Sequence, residues 1–248
     1  MKSLVMLLTG PLQSWGVRSK FNKRDTYPYP TRSGIWGLLA SACGIGRDEP
    51  LPAQLHEAEL LVRRDRRGRL LTDFHTVGAN LPPEQQMVTA DHKRRANPIT
   101  TERDYLSDAA FTAILAAPST VIDQLSGALR APRWAPYLGR RGCPPSLPVL
   151  VGTSTRPPQQ LAEELPLYGR APRRGGDIKV SALWDGFGHD DGQPDLHIHD
   201  VPVERAPDRR TFQTRPAVEL SWTRPANACA GTGLTAFRAM TRSLEEER

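Results

Sequence analysis

This chain of 248 residues has little of several things at once. It has three cysteines, Cys43, Cys143 and Cys229, far apart and with no C-x-x-C pair, which excludes a disulfide framework and a thiolate zinc site. Long apolar runs are absent: Leu4–Leu8 is too short for a signal-peptide core or a membrane span, so the expectation is a soluble, cytoplasmic protein without a membrane partner. The apolar share is low at 38%, with aromatics at 6%. Counting Gly and leaving out Tyr brings it to about 44%, an ordinary globular value, so wholesale disorder is excluded as well. Acids are missing from whole stretches. Residues 1–47 contain only Asp25, and residues 124–162 contain none.

Base and proline are plentiful instead. The 23 prolines, without a low-complexity tract, point to long, stiff, ordered loops. Lys2, Arg18, Lys20, Lys23, Arg24, Arg32 and Arg47 face that single N-terminal acid, and Arg130, Arg133, Arg140, Arg141 and Arg156 fill the acid-free stretch. Lys93, Arg94 and Arg95 form a third cluster between them. Segregated, Arg-weighted charge suits a polyanionic partner, and a merely basic surface is the alternative.

The pattern predicts a strand at Ser3–Leu8 and then a Gly-, Pro- and basic-rich loop to Thr31. A helix is predicted over Ser33–Cys43, with Ile35, Leu38, Leu39 and Ala42 on one face and Gly44 as the stop. Strands follow at Glu59–Asp65 and Arg69–Val77, then a polar insertion over 78–103 and a strand over Tyr105–Ala116. Ser119–Leu129 reads as a helix with Ser119 as N-cap, and Leu147–Val151 as a strand. Residues 1–152 thus read β-α-β-insertion-β-α-β, the order of a ferredoxin-like or RRM-like α+β domain. The Pro-rich remainder, 153–248, has strand patterns at Ile178–Trp184, Leu196–Val203 and Val218–Trp222. It reads as a smaller β-rich part, either a second domain or an elaboration of the first sheet.

Five segments occur in a telling order: Gly10–Gly16 (GPLQSWG), Pro30–Asp48 (PTRSGIWGLLASACGIGRD), Asp73–Ala79 (DFHTVGA), Thr101–Leu115 (TERDYLSDAAFTAIL) and Pro136–Thr153 (PYLGRRGCPPSLPVLVGT). In these the chain resembles the CasD family, the fifth-class Cas proteins of the type I-E CRISPR surveillance complex, Cascade. The match runs to about Thr153 and continues weakly through Asp200–Ala217. The resemblance implies an RRM-like fold with a thumb-like hairpin inserted at about 78–103. It further implies a non-catalytic subunit that holds the 5′ handle of the CRISPR RNA, caps the CasC backbone and docks CasA. Target DNA would be met only indirectly, within the complex. Neither the residues nor the resemblance asks for a cofactor or a metal.

A single-stranded handle needs phosphate neutralisation, stacking faces and polar groups aimed at base edges. Gln13, Ser14 and Trp15 are candidates for the last two, with a core role for Trp15 as the alternative. Arg24 belongs to the basic N-terminal segment. Arg32 and Ser33 open a Gly-bearing helix N-terminus that favours phosphate, unless Ser33 merely caps the helix. Arg140 and Arg141 lie between glycines and suit bidentate phosphate pairing, or a protein–protein ion pair. Lys93, Arg94 and Arg95, with Met87 and Val88, suit a hairpin that wedges between nucleotides, and Arg103 and Tyr105 stand at its return. Arg209, Arg210 and Arg215 are weaker candidates for RNA and could face a neighbouring subunit.

Two rival readings remain open. The type I-C relative is an endoribonuclease, and His75, His92, Lys93, Tyr27 and Tyr29 are residue types able to act as general acid and base on a CRISPR repeat. His197 and His199 share a strand face downstream of His189, Asp190, Asp191 and Asp195, a legitimate metal spacing with no specified third ligand.

Overall fold

The computed structural model describes all residues except 18–21, 56, 79–80, 89–91, 96, 187–195, 207–208 and 247–248, and except the side chain of Arg95. In chain order it contains β1 (Lys2–Thr9), β2 (Leu12–Gln13), β3 (Lys23–Arg24), α1 (Arg32–Cys43), β4 (Glu59–Arg66), β5 (Arg69–Val77), β6 (Met87–Val88) and β7 (Arg94–Arg95). Next come β8 (Ile99–Ser107), β9 (Ala110–Ala117), α2 (Ser119–Arg130), β10 (Leu150–Ser154), α3 (Pro158–Glu164), β11 (Ile178–Trp184), β12 (Leu196–Glu204), β13 (Thr211–Arg224) and α4 (Leu234–Glu245).

One seven-stranded antiparallel sheet runs in the order β10-β1-β9-β4-β11-β13-β12. Its first four strands, with α1 and α2 as crossovers, have the ferredoxin-like arrangement that the β-α-β-β-α-β order anticipates. The sheet continues past residue 152 without a break, because β11 pairs with β4 and carries β13 and β12 beside it. Both faces of the first four strands are covered. Leu4, Met6 and Leu8 of β1 point into the core under α1 and α2, while Val5 and Leu7 point into a second core with Leu161, Ala236, Met240 and Leu244 of α3 and α4. This explains why β1 reads as an unbroken apolar run rather than an alternating one. The C-terminal part is therefore not strands alone. The i, i+4, i+8 spacing of Ala236, Met240 and Leu244 marks α4.

The expected single strand at Tyr105–Ala116 is two strands. Asp108 takes a left-handed conformation (φ 61°), and Gly68 opposite it does the same (φ 71°), so both chains of the hairpin turn at one level. Beyond that level β5 and β8 leave the main sheet as a ribbon, paired from Arg69↔Ser107 to Val77↔Ile99. At roughly 3.3 Å per residue it is about 30 Å long. It carries the little β6–β7 ladder at its far end. The hairpin is thus longer than the 78–103 insertion, because residues 69–77 and 104–107 also belong to its ladder. Helix capping also differs from expectation: Thr31, not Ser33, caps α1, and Pro118 precedes α2 without a side-chain cap.

A buried ion cluster joins the two halves of the sheet. Arg32 Nη1 donates to Asp185 Oδ2 at 2.5 Å and Arg215 Nη1 to the same oxygen at 3.0 Å, while Arg215 Nε and Nη2 grip Asp200 at 2.7 and 3.1 Å. Asp200 also accepts from the Arg32 backbone N–H at 2.6 Å, and Asp185 from that of Leu60 at 2.6 Å. Removing one partner leaves its mates charged and dry. Asp200→Ala is expected to cost about 3–5 kcal/mol in urea unfolding. Asp123→Ala, which breaks the exposed Lys2–Asp123 pair, is expected to cost under about 1 kcal/mol.

Candidate nucleic-acid interface

A cleft of about 1170 Å³ lies between the N-terminal loop, the outer face of α1, the loop 134–141 and the β12–β13 hairpin. It exceeds the ~300–1,000 Å³ that holds a single small molecule. Among the described residues Arg24, Arg47, Arg140, Arg141, Arg205 and Arg210 line it, against one acid, Glu204. Trp134 is exposed on its wall, and the rings of Tyr137 and Phe212 are half-buried there. Positive charge interleaved with open aromatic faces is what a single strand requires of protein.

The motif glycines build this cleft by permitting close packing. Gly139 (φ 85°) sits against the Ser14 carbonyl so closely that a Cβ would stand 1.7 Å from its oxygen, and Ser14 N donates to Leu138 O at 3.1 Å. A Cβ on Gly34 would meet the Trp15 ring at 2.7 Å. The close approach at the start of α1 is thus by an indole and not by a phosphate.

Several sequence expectations are corrected here. Gln13 is fully buried: Nε2 donates to the Leu8 and Ala109 carbonyls at 3.1 and 2.9 Å, and Oε1 accepts from Trp15 Nε1 at 3.1 Å. Its polar atoms hold the chain together and reach no base. Trp15, at 1% exposure, is a core anchor. Arg32 points inward, with Nη2 donating to Leu55 and Ala58 and Nη1 to Asp185. The N-terminus of α1 already has its anion, the Asp200 carboxylate on the Arg32 N–H, so no vacancy is left there for phosphate. Arg215 belongs to the same buried cluster.

Other candidates stay at the cleft. Ser14 and Ser33 line it, though Ser14 Oγ donates to the Asp104 carbonyl and Ser33 Oγ lies 3.3 Å from Thr31 Oγ1. Arg24 and Arg141 line it and are exposed. Arg140 is divided. Its guanidinium stacks on Tyr105 at 4.8 Å and Nη2 donates to the Arg24 carbonyl at 2.9 Å, but Nη1 is buried without a hydrogen-bond partner among the described residues. Arg103 pairs with Arg24 across the parallel β3–β8 register and donates to Thr101 Oγ1 at 3.3 Å. Lys93 and Arg94 are at the ribbon's far end, with Arg94 Nη1 donating to Pro83 O, and the side chain of Arg95 lies outside the described residues. None of Lys93, Arg94, Arg103 or Tyr105 lines the cleft.

None of His75, His92, Lys93, Tyr27 and Tyr29 lines the cleft. His75 pairs with Asp73 on the ribbon at 2.7 Å. The Tyr29 hydroxyl reaches Ser181 and Glu219, and burial pushes its pKa up to about 12. His189, Asp190, Asp191 and Asp195 lie outside the described residues, and among the described ones no three His, Cys, Asp or Glu side chains are grouped for a metal. Among the described residues no helix is long and apolar enough to cross a membrane.

The cleft also contains residues that sequence reasoning passed over or weighed for something else: Arg47, Trp134, His199, Arg205 and Phe212. The available signal was the basic-aromatic interleaving of Arg209-Arg210-Thr211-Phe212.

Comparison with known proteins follows the same lines. The model of the CRISPR-associated protein Cas5 family matches residues 3–218. The CRISPR system Cascade subunit CasD of Escherichia coli strain K12 is 40% identical over 164 residues, covering 60% of this chain and 70% of the relative. A chain of a CRISPR RNA-guided surveillance complex superposes with a TM-score of 0.82 at 33% identity, over 98% of this chain and 99% of that one. A second solved Cas protein superposes with a TM-score of 0.65 at 31% identity, over 93% and 98% of the two chains. With its RRM-like core, its ribbon and its C-terminal strands all within these matches, the chain belongs to the CRISPR-associated Cas5 protein family.

Proposed function

We propose that this protein is a non-catalytic subunit of a Cascade-type CRISPR surveillance complex that holds the 5′ handle of the CRISPR RNA in the arginine-lined cleft. The observation that carries this reading is the charge imbalance there, six arginines against Glu204 beside open aromatic rings. Both faces of the four ferredoxin-like strands are covered by helices, so the surface on which an open RRM-like sheet stacks bases is unavailable there. Arg24 and Arg141 supply charge-assisted donors to phosphate, and Trp134 and Tyr137 supply stacking faces. Gln13, Trp15 and Arg32 act from behind, by fixing the loops that present these groups.

The ribbon takes a different part in this reading. It exposes Leu70 and Phe74 on one face, with Met87 and Val88 near its far end beside Lys93 and Arg94. An apolar edge with basic neighbours suits a wedge between nucleotides where the handle meets the rest of the RNA. In the assembled complex the subunit caps the CasC backbone, and CasA docks beside it.

Labelled CRISPR repeat RNA mixed with the full chain, without divalent metal, tests both halves of the proposal. Intact RNA should be retained. If each of the six cleft arginines neutralises one phosphate, log affinity should fall with log salt at a slope of about −4. Arg141→Ala should weaken retention by about 1.5–3 kcal/mol with thermal stability unchanged, because Arg141 is exposed. Arg140→Ala is the less clean variant, since it also uncovers Tyr105. Salt-independent retention, or specific cleavage of the repeat, would sink the scaffold reading.

A further inference from the structure

The far wall of the cleft is built by the C-terminal hairpin and is chemically distinct from the wall around Arg140 and Arg141. Phe212 of β13 presents its ring there. The imidazole of His199 on β12 meets it edge-on, at 6.2 Å between centroids and 66° between planes. The guanidinium of Arg210 lies 6.0 Å over the same ring. His199 is held by its Nδ1, 3.1 Å from Thr214 Oγ1 across the ladder. Arg205 is half-buried and anchored through Nη1 to the Glu49 carbonyl at 3.2 Å.

Charge at this end is in excess. Burial, and then the like charges of Arg47 and Arg210, hold the Arg205 guanidinium below its ordinary range, even with the Glu49 carboxylate nearby. Among the described residues the acid lining the cleft is Glu204, 3.4 Å from Arg209 and thus already paired with a base. Guanidinium groups crowded closely enough to repel one another are stabilised by an anion between them. An aromatic face beside that anion site makes the pair specific for a nucleotide rather than for an acidic side chain.

We propose that Arg47, Arg205 and Arg210, together with the Phe212 ring braced by His199, form a second nucleotide subsite that grips one phosphate of the bound single strand and stacks its base. The inference rests on the handle-binding reading and extends it to a hairpin that contributes no residue to the Arg140–Arg141 wall. The β12–β13 strands would then be part of the RNA-binding surface, with a role beyond lengthening the sheet.

The test uses the full chain and repeat RNA carrying 2-aminopurine at successive handle positions. One position should be quenched on binding to the wild-type chain and should lose its quenching in Phe212→Ala. Affinity should fall roughly five- to hundredfold in that variant, the range for stacking of one base. Phe212→Tyr should restore both signals, which separates loss of stacking from loss of fold. Arg205→Ala/Arg210→Ala should flatten the salt slope by about 0.7, one single-strand phosphate contact's worth. If Arg141→Ala weakens binding while the Phe212 and Arg205/Arg210 variants bind and quench like wild type, the subsite is overturned and the handle reading stands. If the wild-type chain retains no RNA, both fall. An acidic peptide that binds this wall without competing with RNA would assign it to a protein partner instead.

Discussion

Four buried charges, Arg32, Asp185, Asp200 and Arg215, fasten the structure at the point where its parts meet. Arg32 opens α1, Asp185 follows the last residue of β11, and Asp200 and Arg215 face each other across β12 and β13. Each acid also accepts a backbone N–H, so the desolvation cost of the charges is offset by nearly complete hydrogen bonding and by charge balance within the group. A pair of apolar side chains could fill this volume but could not set the distance and direction between a helix end and three strands. That geometry decides where the β12–β13 hairpin stands relative to α1, and therefore how wide the cleft between them is.

The same cluster changes what the N-terminus of α1 can do. A free helix N-terminus beside a basic loop is a ready anion site, but here the anion is supplied by Asp200 from 168 residues away in sequence. The neighbouring glycines follow the same logic. Gly34 admits the Trp15 indole and Gly139 admits the Ser14 carbonyl, so the residues that look most like ligand contacts are spent on joining two loops. Side chains left over at the edge of this packing, Arg24 and Arg141, face the cleft.

Covering both faces of the first four strands has a related consequence. In the described structure α3 and α4 lie on the face opposite α1 and α2, with Arg63 fully buried and donating to the carbonyls of Ala162, Leu165 and Pro166. The fold keeps the ferredoxin-like order while moving its basic, aromatic surface from the sheet to the loops and the C-terminal hairpin.

The sequence by itself determined the local parts. The apolar run of β1, the 3.6-residue period of α1 and α2, the strand order of the first half, the polar hairpin insertion and the surplus of arginine are all short-range patterns, legible within a dozen residues. The family motifs added the assembly to which the chain belongs. Tertiary structure alone decided which arginines are bound to protein and which are open to a partner. Arg32 and Arg141 both stand close to glycines in the family motifs, yet one is enclosed by Asp185 and two carbonyls and the other is exposed. The same holds for Gln13, whose amide is satisfied by carbonyls 5 and 96 residues away, and for Phe212, which reaches the cleft only because β12 and β13 fold back beside α1. A charged or polar side chain has no intrinsic preference between a buried carboxylate and a phosphate, so its role is set by which long-range partner the fold brings within hydrogen-bonding distance.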